Sequence, residues 1–221
     1  MALGARPARP SGRPAVANLE TVVFDVGETL VDETSLWERA ADSAGVPRFT
    51  LMGVLGGLAV RGEPHTRVWE LVGRPRPETA FAAADLYPDA RPCLERLRGT
   101  YRTGAVGNTG VETEELLRPL VDFVGSSARW GVEKPSPAFF ARLVAEAGTR
   151  PERIAYVGDR VDNDIVPALA AGLVAVHVRR GPWGLLHEAP PGAIRIDSLD
   201  ELPAKLPSSG RRRRPLDARS G

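Results

Sequence analysis

Short continuous runs of aliphatic, β-branched and aromatic residues punctuate the middle of this chain, at 21–26, 103–107, 123–125, 154–157 and 174–178. Most do not alternate apolar with polar residues, as a strand with one wet face does. An unbroken apolar run is what a parallel strand shows when both of its faces are covered. Helical patterns fill the intervals. The clearest is "SPAFFARLVAEAG", where Ser136 is placed to cap the helix and Pro137 to start it. Phe140, Leu143, Val144 and Ala147 then make one apolar stripe, which Gly148 ends. Strands and helices alternating in this way predict an α/β fold with a doubly wound parallel sheet.

One interval breaks the rhythm. Residues 32–87 carry helical patterns such as "SLWERAADSAG" and "FTLMGVLGGLAVRG" but no convincing strand. The interval is too long for a simple strand-to-helix connection. It reads as a small α-helical domain inserted after the first strand, with the sheet domain assembled from 19–31 and 88–207. The ends differ in kind. Residues 1–18 are rich in Pro, Gly, Ala and Arg, and 208–221 include four consecutive arginines, Arg211 to Arg214. Neither end has an apolar period, and both read as disordered, the arginine run as a solvated tail.

Charge and cysteine usage narrow the function classes. A net charge of +1 over 221 residues gives no reason to expect a nucleic acid or a membrane as partner. No apolar run approaches a transmembrane span, and the N-terminal stretch has no apolar segment of signal-peptide length. A cytoplasmic protein is therefore expected. Cys93 is the only cysteine, which leaves no internal disulfide and fits a reducing compartment. Within "RPCLERLR" it reads as a buried helix residue rather than a nucleophile. Lys134 and Lys205 are the only lysines in an arginine-rich chain, so each stands out.

In an open parallel sheet, ligands bind beyond the carboxyl ends of the strands. The first expected strand ends on Asp25, and the second on Gly107, Asn108 and Thr109. The fourth runs into "GDRVDND", with Asp159, Asp162 and Asp164, and the loop after the third carries Lys134. Topology alone gathers these groups on one edge of the sheet. Converging carboxylates repel one another unless a cation separates them, and oxygen ligands suit Mg²⁺. A carboxylate can also attack phosphorus to form an aspartyl-phosphate. Mg²⁺ and a lysine would neutralise the transferring phosphoryl group, and Asn108 with nearby main-chain N–H groups could hold its oxygens. Taken singly, each residue has an ordinary reading: Asp25 a turn cap, Asn108 a turn residue, Lys134 a surface lysine, the acidic loop a self-bonded turn. Their order and spacing together favour a site, since four accidents rarely fall at the ends of four successive strands.

The chain resembles the haloacid dehalogenase-like (HAD) hydrolase superfamily from about residue 21 to 184. "FDVGETL" resembles the first family motif, "VGNTG" the second, "GVEKPSPAFF" the third and "YVGDRVDNDIVPALAAGL" the fourth. The helical interval resembles a C1-type cap. The resemblance implies a HAD-like Rossmannoid core and a Mg²⁺-dependent hydrolase acting on a small phosphate ester or anhydride. By the same resemblance Asp25 would be nucleophile and metal ligand, and the Gly27 carbonyl, Asp159 and Asp164 would complete the metal site. Lys134 would hold nucleophile and phosphate together, and Asn108, with Gly107 and Thr109, would contact phosphoryl oxygens.

Two positions depart from the family pattern. Gly107 stands where the second motif has a hydroxyl, and Gly27 where the first has a second aspartate. That aspartate protonates the leaving alcohol and then helps water attack, help worth about 10²–10⁴-fold. Metal and phosphate binding are expected to survive the loss, and proton transfer to disappear, with Glu28 adjacent but aimed elsewhere. A phosphatase so altered should favour leaving groups that need no proton. Two other readings stand beside it: a phosphate- or metal-binding scaffold with little turnover, and a haloacid dehalogenase-type activity, which the glycine does not positively support. Trp37, Phe49, Arg61, His65 and Trp69 are candidates to line the cleft under the cap, each with the ordinary reading of a cap-core or surface residue beside it, and "RRGPWG" is expected to support the outer edge of the sheet.

Overall fold

The computed structural model describes residues 18–206. The segments expected to be disordered, 1–18 and 208–221, fall outside these residues except for Asn18. The sheet has six strands, β1 (Thr21–Phe24), β2 (Arg102–Gly107), β3 (Phe123–Ser126), β4 (Ile154–Gly158), β5 (Val174–Val178) and β6 (Ile194–Ile196), in the order β3-β2-β1-β4-β5-β6. All neighbouring pairs are parallel. The last strand was not expected. It is three residues long on the sheet edge, and the middle one, Arg195, is exposed, so it lacks the apolar run that marks the others.

Burial on both faces explains those runs. In β1, Val22 and Phe24 join an apolar cluster with Leu94 and Leu97, whereas Val23 joins a second cluster with Phe139, Phe140, Leu143 and Tyr156. Successive strand residues point to opposite faces, so a strand between two cores has no polar position to offer. The helices in chain order are α1 (Thr34–Ala44), α2 (Arg48–Val60), α3 (Val68–Leu71), α4 (Ala90–Leu97), α5 (Val111–Leu117), α6 (Ser127–Trp130), α7 (Pro137–Ala147), α8 (Val166–Ala170), α9 (Gly181–Leu186) and α10 (Leu202–Lys205). In α7 the Ser136 hydroxyl accepts from Ala138 N, and Gly148 ends the helix at φ +66°, as its sequence indicates. Cys93 is buried in α4, and burial pushes its thiol up to about 12.

Helices α1 to α3 pack around a third cluster, with Leu51, Leu55, Leu58, Val68 and Trp69 at its centre. Trp183 of α9 belongs to that cluster as well. The "RRGPWG" segment therefore meets the outer edge of the sheet only at its start, where Arg179 N donates to Ile196 O of β6 at 2.9 Å, while its tryptophan packs under the helical insert. No single helix among the described residues is long and apolar enough to cross a membrane.

Strand order fixes where a ligand can sit. The chain runs outward from β1 through β2 to β3, then returns to the other side of β1 for β4. Connections leaving β1 and β4 diverge, and a crevice opens beyond their carboxyl ends. Asp25 follows β1 directly and Asp159 follows β4 directly, on strands paired Phe24 to Val157.

Candidate active site

Asp25 is held by the sheet itself, its N–H donating to Val157 O at 2.8 Å. Beyond β4 the backbone makes one wide turn of π-helix over Val161–Ile165, closed by Ile165 N donating to Arg160 O at 3.1 Å. Such turns recur at functional sites because they redirect one side chain. Here the redirected residue is Asp164. It packs onto Gly158, where an added Cβ would lie 2.6 Å from the Asp164 Cβ, so the glycine is needed for the close approach. Arg160 N donates to Asp164 Oδ2 at 3.0 Å and Tyr156 Oη to Oδ1 at 3.2 Å.

Lys134 closes the group. Its Nζ donates to Asp25 Oδ1 at 2.5 Å and to Asp164 Oδ1 at 2.6 Å. The lysine is only 4% exposed, beside Asp25 at 7%, Asp159 at 3% and Asp164 at 0%. Its loop is held by Asn108: Lys134 N donates to Asn108 Oδ1 at 2.8 Å, and Asn108 Nδ2 donates to Lys134 O at 3.0 Å. Asn108 thus reaches the site chiefly as a two-point clamp on the lysine loop. Asp162 stays outside the group, paired with the Arg160 guanidinium.

Burial sets the electrostatics. Burial, reinforced by Asp164, raises Asp25 to about 6 despite the lysine. Burial first, then Asp164 and Asp25, holds Asp159 well above the usual carboxylate range. Burial opposes the Lys134 ammonium, but Asp164 and Asp25 outweigh it and keep the lysine above its usual range. Ligand oxygens of Asp25, Asp159 and Asp164 all lie within 4.8 Å of one another. No described residue donates a hydrogen bond to the Asp159 carboxylate. One ammonium facing three buried carboxylates leaves negative charge uncompensated, which is the donor set that a hard divalent cation fits.

The cleft over these groups measures about 400 Å³, within the range of small-molecule sites. Lys134, Asp25 and Asp159 form its floor, with Trp37, Trp69, His65 and Trp183 among the walls. The His65 ring meets Trp37 and Trp183 edge-on, and burial with nearby Arg160 lowers its pKa to about 4, so it stays neutral. Phe49 and Arg61 do not belong here. Phe49 is 90% exposed and both line a separate shallow hollow on the outer face of α2, so the expectation for those two residues is corrected. Helix α2 is apolar nearly all round, so its sequence does not say which side turns to the cleft.

Around the departures, Thr109 lines the cleft and Gly107 lies against Asp25, an added Cβ falling 3.1 Å from Asp25 Oδ1. Glu28 sits in the left-handed backbone region at φ +50° and is tied down: its carboxylate accepts from Tyr87 Oη at 2.5 Å and Glu33 N at 2.9 Å. The residue that sequence reasoning missed is Glu33. Its carboxyl lines the cleft, accepts from Trp37 Nε1 at 3.0 Å, and is raised to about 7 by burial and by Glu28. Nothing in "LVDETSL" distinguishes it from a helix-start acid; only the fold carries it to the site. Arg160 and Trp183, stacked with 4.9 Å between guanidinium and ring, were missed for the same reason.

A doubly wound sheet with clustered carboxylates and a buried lysine at its switch point is an α/β fold that carries an acidic, cation-suited centre. The family model for haloacid dehalogenase-like hydrolases matches residues 19–172. A glyceraldehyde 3-phosphate phosphatase of Methanopyrus kandleri is 32% identical over 201 aligned positions, covering 75% of this chain and 86% of that one. A ribulose-1,5-bisphosphate 5-phosphatase of Halopiger xanaduensis is 32% identical over 143 positions, covering 55% and 60%. Among solved structures, a HAD phosphatase from Thermococcus onnurineus superposes with a TM-score of 0.59 at 21% identity, over 86% of this chain and 99% of that one. An L-2-haloacid dehalogenase from Xanthobacter autotrophicus does so at 0.61 and 20%, over 84% and 97%; both show the shared fold. The chain belongs to the haloacid dehalogenase-like hydrolases and is an enzyme of that class.

Proposed function

We propose that this hydrolase is a Mg²⁺-dependent phosphatase of small phosphorylated metabolites, working through an aspartyl-phosphate on Asp25. The carrying observation is the Lys134 ammonium bound at once to Asp25 and Asp164, beside an Asp159 carboxylate to which no described residue donates. The names of the relatives from Methanopyrus and Halopiger favour short phosphorylated sugars as the substrate class. The cleft, at about 400 Å³, is of a size to suit them.

Asp25 is the nucleophile, since it ends β1 at the cleft floor and its Oδ1 is already aligned by Lys134. Lys134 offsets charge on the nucleophile and on the phosphoryl oxygens that approach it. Asp25, Asp159, the Gly27 carbonyl and Asp164 would hold the ion, with Asp164 chiefly fixing the lysine because Tyr156 and Arg160 N already occupy its oxygens. When bound, Mg²⁺ supplies Lewis-acid stabilisation of the phosphoryl oxygens. Main-chain N–H groups around Gly107 to Thr109 are the remaining phosphate donors, and the helical insert with Trp37 and Trp69 is the cap that closes the site from water.

A panel of triose, pentose and hexose phosphates, assayed with Mg²⁺ and with chelator, tests this. Orthophosphate should appear only with Mg²⁺, and Asp25→Asn should abolish it with the fold retained. Release of halide from 2-haloacids without Mg²⁺, and no orthophosphate from any member, would replace this reading with dehalogenation.

A further inference from the structure

Gly27 has no side chain, yet the space beside it is filled. A Cβ built on Gly27 would lie 2.2 Å from Glu33 Oε1 and 3.0 Å from its Cδ. The Glu33 carboxyl therefore occupies the volume that a side chain on residue 27 would take, two positions from Asp25. It arrives from the turn that enters α1. Glu33 Oε2 accepts from Trp37 Nε1, whereas Oε1, the oxygen over Gly27, receives no hydrogen bond from a described residue.

Most other proton-bearing groups around the floor are committed. Glu28 is bound by Tyr87 and by the Glu33 N–H. Tyr156 donates to Asp164, and Lys134 to Asp25 and Asp164. His65 stands between two tryptophan rings with Nδ1 3.5 Å from Arg160. Asp159 also has a carboxylate that no described residue bonds, but it stands with Asp25 and Asp164 in the acidic group that would hold the ion. Glu33 brings an unengaged oxygen to the cleft beside the nucleophile from outside that group.

We propose that Glu33 is the acid–base group of this enzyme, reaching in from the helical insert to stand where residue 27 has nothing to offer. The assignment rests on the phosphatase reading above. As an Asp25 oxygen bonds to phosphorus and the bond to the leaving alcohol breaks, the Glu33 carboxyl gives its proton to the departing oxygen. Glu33 is then a carboxylate. It takes a proton from the water whose oxygen attacks the aspartyl-phosphate, the phosphorus–Asp25 bond breaks, and orthophosphate leaves with both carboxyl groups restored. Gly27 is on this account the gap that admits Glu33, and proton transfer is retained from a new position.

The test compares wild type, Glu33→Gln, Glu33→Ala and the double variant Glu33→Ala with Gly27→Asp, using Mg²⁺ and two probes, glycerol 3-phosphate and p-nitrophenyl phosphate. Glu33→Gln keeps an acceptor for Trp37 Nε1 and the volume over Gly27, so it should fold. It should slow glycerol 3-phosphate turnover by about 10²–10⁴-fold. With p-nitrophenyl phosphate, whose leaving group needs no proton, it should give a burst of nitrophenolate followed by slow turnover, because only the water step has lost its base. Removing Glu33 frees the space, so aspartate at 27 in the double variant should recover at least about tenfold over Glu33→Ala. Glu33→Gln turning over p-nitrophenyl phosphate within about threefold of wild type, without a burst, overturns the assignment while leaving the phosphatase reading intact. A wild type that releases no phosphate and forms no phospho-enzyme ends both.

Discussion

Lys134 binds two carboxylates with one ammonium inside the protein, and that fixes what its removal should do. Breaking a buried ion pair from one side costs about 3–5 kcal/mol, because the remaining charges stay buried without a partner. Lys134→Met should therefore lower the unfolding free energy read from a urea titration by an amount of that order, as well as abolish turnover. The loss should be smaller at pH 5 than at pH 8, since protonating Asp25 removes part of the repulsion with Asp164. Gly27 gives the second case at this scale. From the sequence alone, Gly27→Asp should supply a missing acid and raise activity on alkyl phosphates. With Glu33 Oε1 2.2 Å from the new Cβ, the single substitution should instead overpack the site, costing about 1–3 kcal/mol and lowering turnover. Thermal unfolding of the single and double variants separates the two outcomes: the destabilisation should be relieved when Glu33 is shortened to alanine.

Asn108 links two elements, the carboxyl end of β2 and the lysine loop before α7, through two hydrogen bonds between its amide and the Lys134 backbone. Two such bonds contribute about 1–3 kcal/mol together. Asn108→Ala should cost stability in that range and lower kcat more than it changes KM, because the displaced part is the lysine and not a substrate contact. Steady-state kinetics beside a urea titration would show it, and an unchanged kcat would remove the clamp from the mechanism. Elements of this kind were unevenly legible in the sequence. The five longer strands announced themselves because each lies between two cores, and α7 because its cap, proline, stripe and glycine agree. Strand β6 has one residue facing solvent among three and carries no such run. Asp25, Lys134, Asp159 and Asp164 could be read because they follow strand ends, where topology alone brings side chains together. Glu33, Arg160 and Trp183 could not, because their places depend on how the helical insert seats on the sheet. Phe49 and Arg61 failed for the same reason, since a helix apolar nearly all round does not say which side turns to the cleft.

At the scale of the molecule, the buried charges of the site set how stability should follow pH and Mg²⁺. Asp25 at about 6, Asp159 well above its ordinary value and Glu33 at about 7 all have raised pKa values in the folded chain. A raised carboxyl favours folding most below its unfolded pKa, and that contribution is lost as pH climbs through the folded value. His65 works the other way: lowered to about 4, it favours folding above its unfolded value of 6.5 and loses that as pH falls. Burial also raises Glu28 and lowers His177, so without metal four raised carboxyl groups outnumber two lowered histidines, and stability should decline from about pH 5 to pH 8. Mg²⁺ takes only the ionised carboxylates, so protons compete with it and its stabilisation should grow over the same interval. At a concentration near 100 times its dissociation constant, an ion adds about 2.7 kcal/mol. For a chain of this length that is about 5–11 °C in Tm. Melting curves in chelator and in Mg²⁺ should therefore diverge by that much at pH 8 and nearly converge at pH 5. The same divergence should vanish in Asp159→Asn, which removes the carboxylate to which no described residue donates. Curves separated equally at both pH values would mean that the ion binds somewhere other than among Asp25, Asp159 and Asp164.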